Sequence, residues 1–173
     1  LRGGDIFRNG IIGFAVICHS GWAMGVGRRM LDELAAMTRE KAARPGAQAA
    51  STQFQQSFAE AEASFRAARA LCIESWQSVV DSLALGEGIS VRQHTLVRLA
   101  LTNITKVLHD VANVVYLAAG TTALRDGLMQ RLFRDVNAGT QHVTSSPAVW
   151  QTCGRELLGV AEGQHWQFLD LVD

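Results

Sequence analysis

Charge is scarce in this sequence: Asp, Glu, Lys and Arg make up 18% of 173 residues, with 16 basic against 16 acidic. A chain without net charge has no global field with which to gather nucleic acid or an anionic membrane surface. A surface so poor in charge is expected to be covered in part by partners, because an isolated soluble domain carries more. Cysteine is sparse as well. Cys18, Cys72 and Cys153 are odd in number and far apart, with no C-x-x-C pair and no Cys/His cluster, which argues against both a disulfide framework and a zinc site. A cytoplasmic, reducing compartment is the expectation. No charged start leads into an apolar run and a small-residue cleavage site, so no signal peptide is expected. Each apolar stretch reads as broken by polar residues short of a membrane-spanning length, so no membrane partner is expected either. Strand signals are missing, since no alternating β-branched run bounded by turns occurs. The chain opens on Leu1 rather than Met and reads as a piece of a longer protein.

What is present is helical periodicity. Proline occurs twice, at Pro45 and Pro147, and both positions read as breaks. Pro45-Gly46 closes a segment that begins near Phe7, Gly86-Glu87-Gly88 closes one that begins near Ser51, and Gly120-Thr121-Thr122 closes one from Val91. Ser145-Ser146-Pro147 reads as an N-cap with Pro at the first helical position, opening a shorter last helix. In the third segment Val97, Leu101, Ile104, Leu108, Val111, Val115 and Ala118 step alternately by 4 and 3. Phe54, Phe58, Ala61, Phe65, Ala68 and Cys72 do the same in the second. Such a repeat marks long helices packed at a shallow angle. The short turn Gly86–Ser90 should make segments 51–85 and 91–118 antiparallel neighbours. The fold expected is all-α and four-helix-bundle-like, with a helical domain over residues 1–158 and a C-terminal tail over 159–173. Trp166, Phe168 and Leu171 in that tail either dock on a neighbouring subunit or fray.

The first segment is unusual for its glycines, Gly10, Gly13, Gly21, Gly25 and Gly27. Each helical Gly costs about 0.5–1 kcal/mol relative to Ala, so a backbone or a flat ligand should come close to them. Tight helix packing is the reading preferred over ligand contact. Arg39, Lys41 and Arg44 gather at the end of this segment, where cations suit the helix dipole and solvent.

The most specific stretch is Gln130–His142. It carries Arg131-x-x-Arg134-Asp135, with His142 seven residues after the aspartate, downstream of a helix ending at Ala118-Ala119-Gly120. This run resembles the last part of the acyl-CoA dehydrogenase superfamily. More narrowly, it is similar to the flavin-dependent monooxygenase branch, the oxygenase components of two-component aromatic hydroxylases. The likeness covers most of residues 7–158 and implies the helical C-terminal domain of such an enzyme. It implies a cofactor, FAD or FMN in reduced form, a separate flavin reductase, a small-molecule aromatic or related substrate, and a homo-oligomer, dimer or tetramer. It places His142 beside the reactive edge of the flavin as the catalytic residue. Arg39 or Arg44, Gly120 and Gln141 are the residues it puts at the cofactor. A lone His near a helix end is ordinarily structural, and the R-x-x-R-D context is what argues for a site here. Arg131 and Asp135, four apart, are expected to pair across one helical turn.

Two absences bear on the chemistry. The glutamate base of acyl-CoA dehydrogenases would fall near Val143 or, in the alternative family position, near Ala15. No glutamate precedes Glu33 and none lies between Glu87 and Glu156, so abstraction of a thioester α-proton is disfavoured. The intact protein is expected to be a flavin-dependent monooxygenase and this fragment alone inactive. An acyl-CoA dehydrogenase proper and a non-enzymatic helical oligomerisation module remain as alternatives.

Overall fold

Five α-helices account for most of the computed structural model, which describes residues 4–43 and 45–173. They are α1 (Gly10–Lys41), α2 (Thr52–Ala84), α3 (Val91–Ala119), α4 (Leu128–Gly139) and α5 (Pro147–Leu157). Their boundaries follow local chemistry. Ser51 caps α2 by accepting from the Phe54 N–H. Ser90 and Gln93 close a reciprocal capping box at the start of α3, satisfying two N–H groups that have no partner within the helix. Gly86, at φ +79°, turns the chain between α2 and α3. Pro147 occupies the first turn of α5, as its fixed φ suits.

α2 and α3 are antiparallel neighbours. The Gln93 amide donates to the Ser78 carbonyl and to the hydroxyls of Ser78 and Ser82, and farther along the Cys72 thiol donates to the Ala100 carbonyl. The α3 repeat is the core seam, with Val97, Leu101, Ile104, Leu108, Val111 and Val115 all fully buried. On α2, Ala61, Phe65, Ala68 and Cys72 are buried while Phe54 and Phe58 are half-covered. α1 closes the third side through Val16, Met30, Leu31 and Leu34. Arg28 of α1 forks onto Glu62 of α2 at 2.8 and 3.0 Å, tying those two helices outside the core.

The α1 glycines divide. A Cβ at Gly27 would lie 2.6 Å from the Phe65 ring, so this glycine exists for close helix packing. Gly21 and Gly25 have nothing within 4 Å of a Cβ and are exposed. They continue an outward stripe that begins with Ile11, 78% exposed, and runs through Phe14 and Cys18. The stretch Phe7–Lys41 has a window of mean hydropathy 1.4 and is long and apolar enough to cross a membrane by length and composition. That corrects the sequence reading, which took every apolar stretch as broken short of that length. In this fold the helix contributes one face to the bundle core.

The C-terminal tail corrects two further expectations. Residues His165–Gln167 and Asp170–Val172 form a two-stranded antiparallel hairpin, β1 and β2, where no strand was expected. Three-residue strands are too short to show an alternating pattern. The hairpin does not fray, because it docks on its own bundle. The Trp166 indole donates to the Thr95 hydroxyl at 2.8 Å, and the Arg98 guanidinium lies 4.4 Å over the Trp166 ring. Arg98 is 4% exposed, with no carboxylate partner among the described residues. Burial lowers its pKa to about 10. The aromatic face and the Phe168 carbonyl take the place of a counter-ion.

Candidate active-site groove

α1 and the C-terminal end of α4 build the one place where the sequence's candidate histidine gains aromatic company. His19 and Trp22 lie one turn apart on α1, and their rings stack at 4.9 Å and 24°. His142, in the loop after α4, stacks on His19 at 4.6 Å and 27°, so the three rings form one pile with His19 in the middle. The pile is possible because α4 ends in glycine: a Cβ on Gly139 would overlap the Trp22 ring. His19, Trp22, Asp135, Gly139, Gln141 and His142 line a shallow open groove of ≈ 470 Å³, within the size range of small-molecule sites.

The two imidazoles are held differently. His142 is exposed and caps the turn Val143–Ser145; the Thr144 N–H donates to its Nδ1 at 3.3 Å, and the Thr144 hydroxyl lies 2.7 Å from the same atom. His19 is half-buried, and its Nε2 is buried with no hydrogen-bond partner among the described residues. Burial holds the His19 pKa below its ordinary value, and neighbouring His142 adds to this. The Gly139 carbonyl acts in the opposite direction, although it makes no well-formed hydrogen bond with the ring. Near the start of α3 His94 is also lowered, by burial first and then by Arg98.

These two shifts fix a pH dependence. The unfolded chain takes up protons near the ordinary value of 6.5 while folded His19 and His94 stay neutral. Their contribution is therefore whole above that value and is lost as pH falls through the lower folded-state values. Melting temperature should fall between about pH 7.5 and about pH 5.5, and the double variant His19→Gln/His94→Gln should flatten that slope. Identical slopes in both proteins would refute the assignment.

The residues expected from sequence are only partly brought together. Gln141 lies with His142 at the groove. Arg39 is exposed in the last turn of α1, some 20 residues beyond His19 and so roughly 30 Å along the helix. Gly120, at φ +56°, ends α3, and the following turn is tied to the end of α1 by Lys41 donating to the Thr122 hydroxyl at 3.2 Å. Arg44 lies outside the described residues. The expected Arg131–Asp135 pair does not form among the described residues: Arg131, Arg134 and Asp135 are all exposed, and Asp135 faces the groove instead. Asp135 and His142 reach the groove from different elements, because α4 stops at Gly139. Val143 is exposed just after His142, Ala15 is half-buried on α1, and no glutamate lines the groove. The residues that sequence reasoning passed over are His19, Trp22 and Thr144. The spacing His19-x-x-Trp22, which stacks two rings on one helix face, was the available signal.

A family model, acyl-CoA dehydrogenase, C-terminal domain, matches residues 17–147, a stretch that holds the whole groove. The chain belongs to this family. Among relatives of the domain, the indole-3-acetate monooxygenase of Pseudomonas putida is 29% identical over 156 residues, covering 88% of this chain and 40% of that protein. The indole-3-acetate monooxygenase of Acinetobacter baumannii is 28% identical over 142 residues, 79% of this chain and 36% of that protein. The crystal structure of 3-HSA hydroxylase from Rhodococcus sp. RHA1 superposes with a TM-score of 0.74 at 22% identity, covering 82% of this chain and 37% of that one. The HsaA monooxygenase from M. tuberculosis gives 0.63 at 25% identity, over 82% and 36%. The domain thus spans about two fifths of the length of the proteins it matches.

Proposed function

We propose that this domain is the C-terminal helical part of a monooxygenase that uses reduced flavin, FAD or FMN, to hydroxylate an aromatic or related small molecule. The observation that carries the reading is the pile Trp22–His19–His142 at the end of α4, inside a domain whose relatives are named monooxygenases. The groove fits one edge of a planar ring system: it is open along one side and lined by flat rings, and it holds a buried imidazole nitrogen without a partner. It does not fit a whole flavin. Arg39 and Gly120 lie at the far end of α1, too distant for one flavin to touch them and His142 in the same copy. Their proposed role at the cofactor's phosphates, shared with Arg44, is therefore toward a flavin held by a second copy. That makes a homo-oligomer part of the proposal, and the exposed stripe from Ile11 to Gly25 is the surface left for it. Sedimentation of the chain at micromolar concentration should show a dimer or tetramer, and an 18.7 kDa monomer alone would count against it.

Bound reduced flavin supplies the electrons and activates oxygen; this chain supplies placement and hydrogen bonding. His142 is the proposed catalytic residue, offering a ring nitrogen at the groove. Gln141 presents an amide beside it. Trp22 and His19 form the wall that keeps the imidazole in place and excludes water from one of its faces. Thioester dehydrogenation is not proposed, since no glutamate stands at the groove. A flavin reductase as electron donor and a cytoplasmic location belong to the same reading. The test is isotopic. The intact protein, given reduced flavin and ¹⁸O₂, should place one labelled oxygen in an aromatic product. Dye reduction driven by an acyl-CoA thioester, with no label incorporated, would refute the proposal.

A further inference from the structure

We propose that Thr144 is a positioning residue that fixes the tautomer of His142, so that the ring presents Nε2–H, a hydrogen-bond donor, to the groove. The inference rests on the reading of His142 as the group that meets the bound ligand. Thr144 is 3% exposed, and its backbone N–H, which can only donate, points at Nδ1 of His142 at 3.3 Å. The ring nitrogen there must accept. The Thr144 hydroxyl, 2.7 Å from the same atom, then gives its proton to it as well. A neutral imidazole that accepts at Nδ1 carries its hydrogen on Nε2.

The surrounding turn keeps this arrangement in register. Both the N–H and the hydroxyl of Ser145 donate to the His142 carbonyl at 3.0 Å, and the Ser146 N–H donates to the Val143 carbonyl at 3.2 Å. His19 covers one face of the ring. With one edge and one face occupied, Nε2 is the polar atom of the ring without a partner among the described residues. The consequence is chemical. His142 in this state stabilises negative charge on an oxygen by donating a hydrogen bond, and it does not hand over a proton, since a hydrogen on Nδ1 would face the Thr144 N–H.

Long-range ¹H–¹⁵N correlation spectra of the ¹⁵N-labelled chain test this without any flavin. The His142 ring is assigned by its loss in His142→Gln, and spectra are taken above imidazole's ordinary titration range. His142 should show the Nε2–H pattern. Thr144→Pro, which removes the backbone N–H, should lower the tautomer ratio about 2- to 10-fold, the worth of one hydrogen bond. Thr144→Val and Thr144→Ser, which keep that N–H, should keep the Nε2–H pattern. In the intact protein the proline variant should lose part of its coupling of oxygen use to product, and the serine variant should keep it. An Nδ1–H pattern in the unmodified chain overturns the proposal even if the proline variant does not fold, and so does an unchanged ratio in a folded one. Either failure leaves the flavin reading standing, because that reading is judged by label incorporation and not by the tautomer.

Discussion

Replacing His142 with alanine in the intact protein should cut hydroxylation about 10²–10³-fold, the cost of losing one positioned donor at a developing charge. Oxygen should still be consumed, and it should leave as hydrogen peroxide. The fold should survive, because His142 is exposed and the lost stack on His19 contributes about 1 kcal/mol. For a chain of this length that is a drop of about 2–4 °C in melting temperature. A structural role predicts the reverse pattern: a large fall in melting temperature with oxygen use still tied to product. Measuring peroxide, product and melting temperature on one variant separates the two outcomes.

Phe65→Ala should be the most destabilising single truncation in the bundle. The ring is 1% exposed and fills the space left by the missing side chain of Gly27, with Leu108 beside the same spot. Its removal leaves a cavity among three helices, at a cost of about 3–5 kcal/mol. Against a total stability of about 5–15 kcal/mol this is a fifth or more of the whole. Melting temperature should fall by about 6–20 °C. The same change at Phe54, half-covered near the start of α2, should cost much less. A loss below about 1 kcal/mol at Phe65 would mean that the α1–α2–α3 contact is not what holds the bundle together.

The long helices were legible because their repeats report packing directly. Val97 through Val115 step by 4 and 3, and every one of them is buried. The breaks were legible from Ser51, Ser90 and Pro147, each of which does a local job at a helix start. The hairpin was not. Its strands are three residues long, and what secures it, Thr95 and Arg98, lies some 70 residues away in sequence. The membrane-spanning length of α1 is hidden because single polar residues interrupt its apolar run, while the mean hydropathy over a window stays high. At the site, His142 was visible only through the resemblance carried by Arg131, Arg134 and Asp135. The arginines themselves point to solvent, so the motif marks the place without forming its chemistry. His19 and Trp22 come from α1, and nothing local tells them apart from other residues on a helix face. Gly139 explains how they meet His142, and its role appears only once the Trp22 ring is seen lying where a Cβ would be.

The deciding measurement is the structure of the intact protein with its flavin bound. The flavin ring should lie at the open side of the groove, with Nε2 of His142 within hydrogen-bond reach, about 3 Å, of an atom of the cofactor or of a ligand on it. A flavin bound elsewhere, with the Trp22–His19–His142 pile covered by another part of the protein, would contradict it.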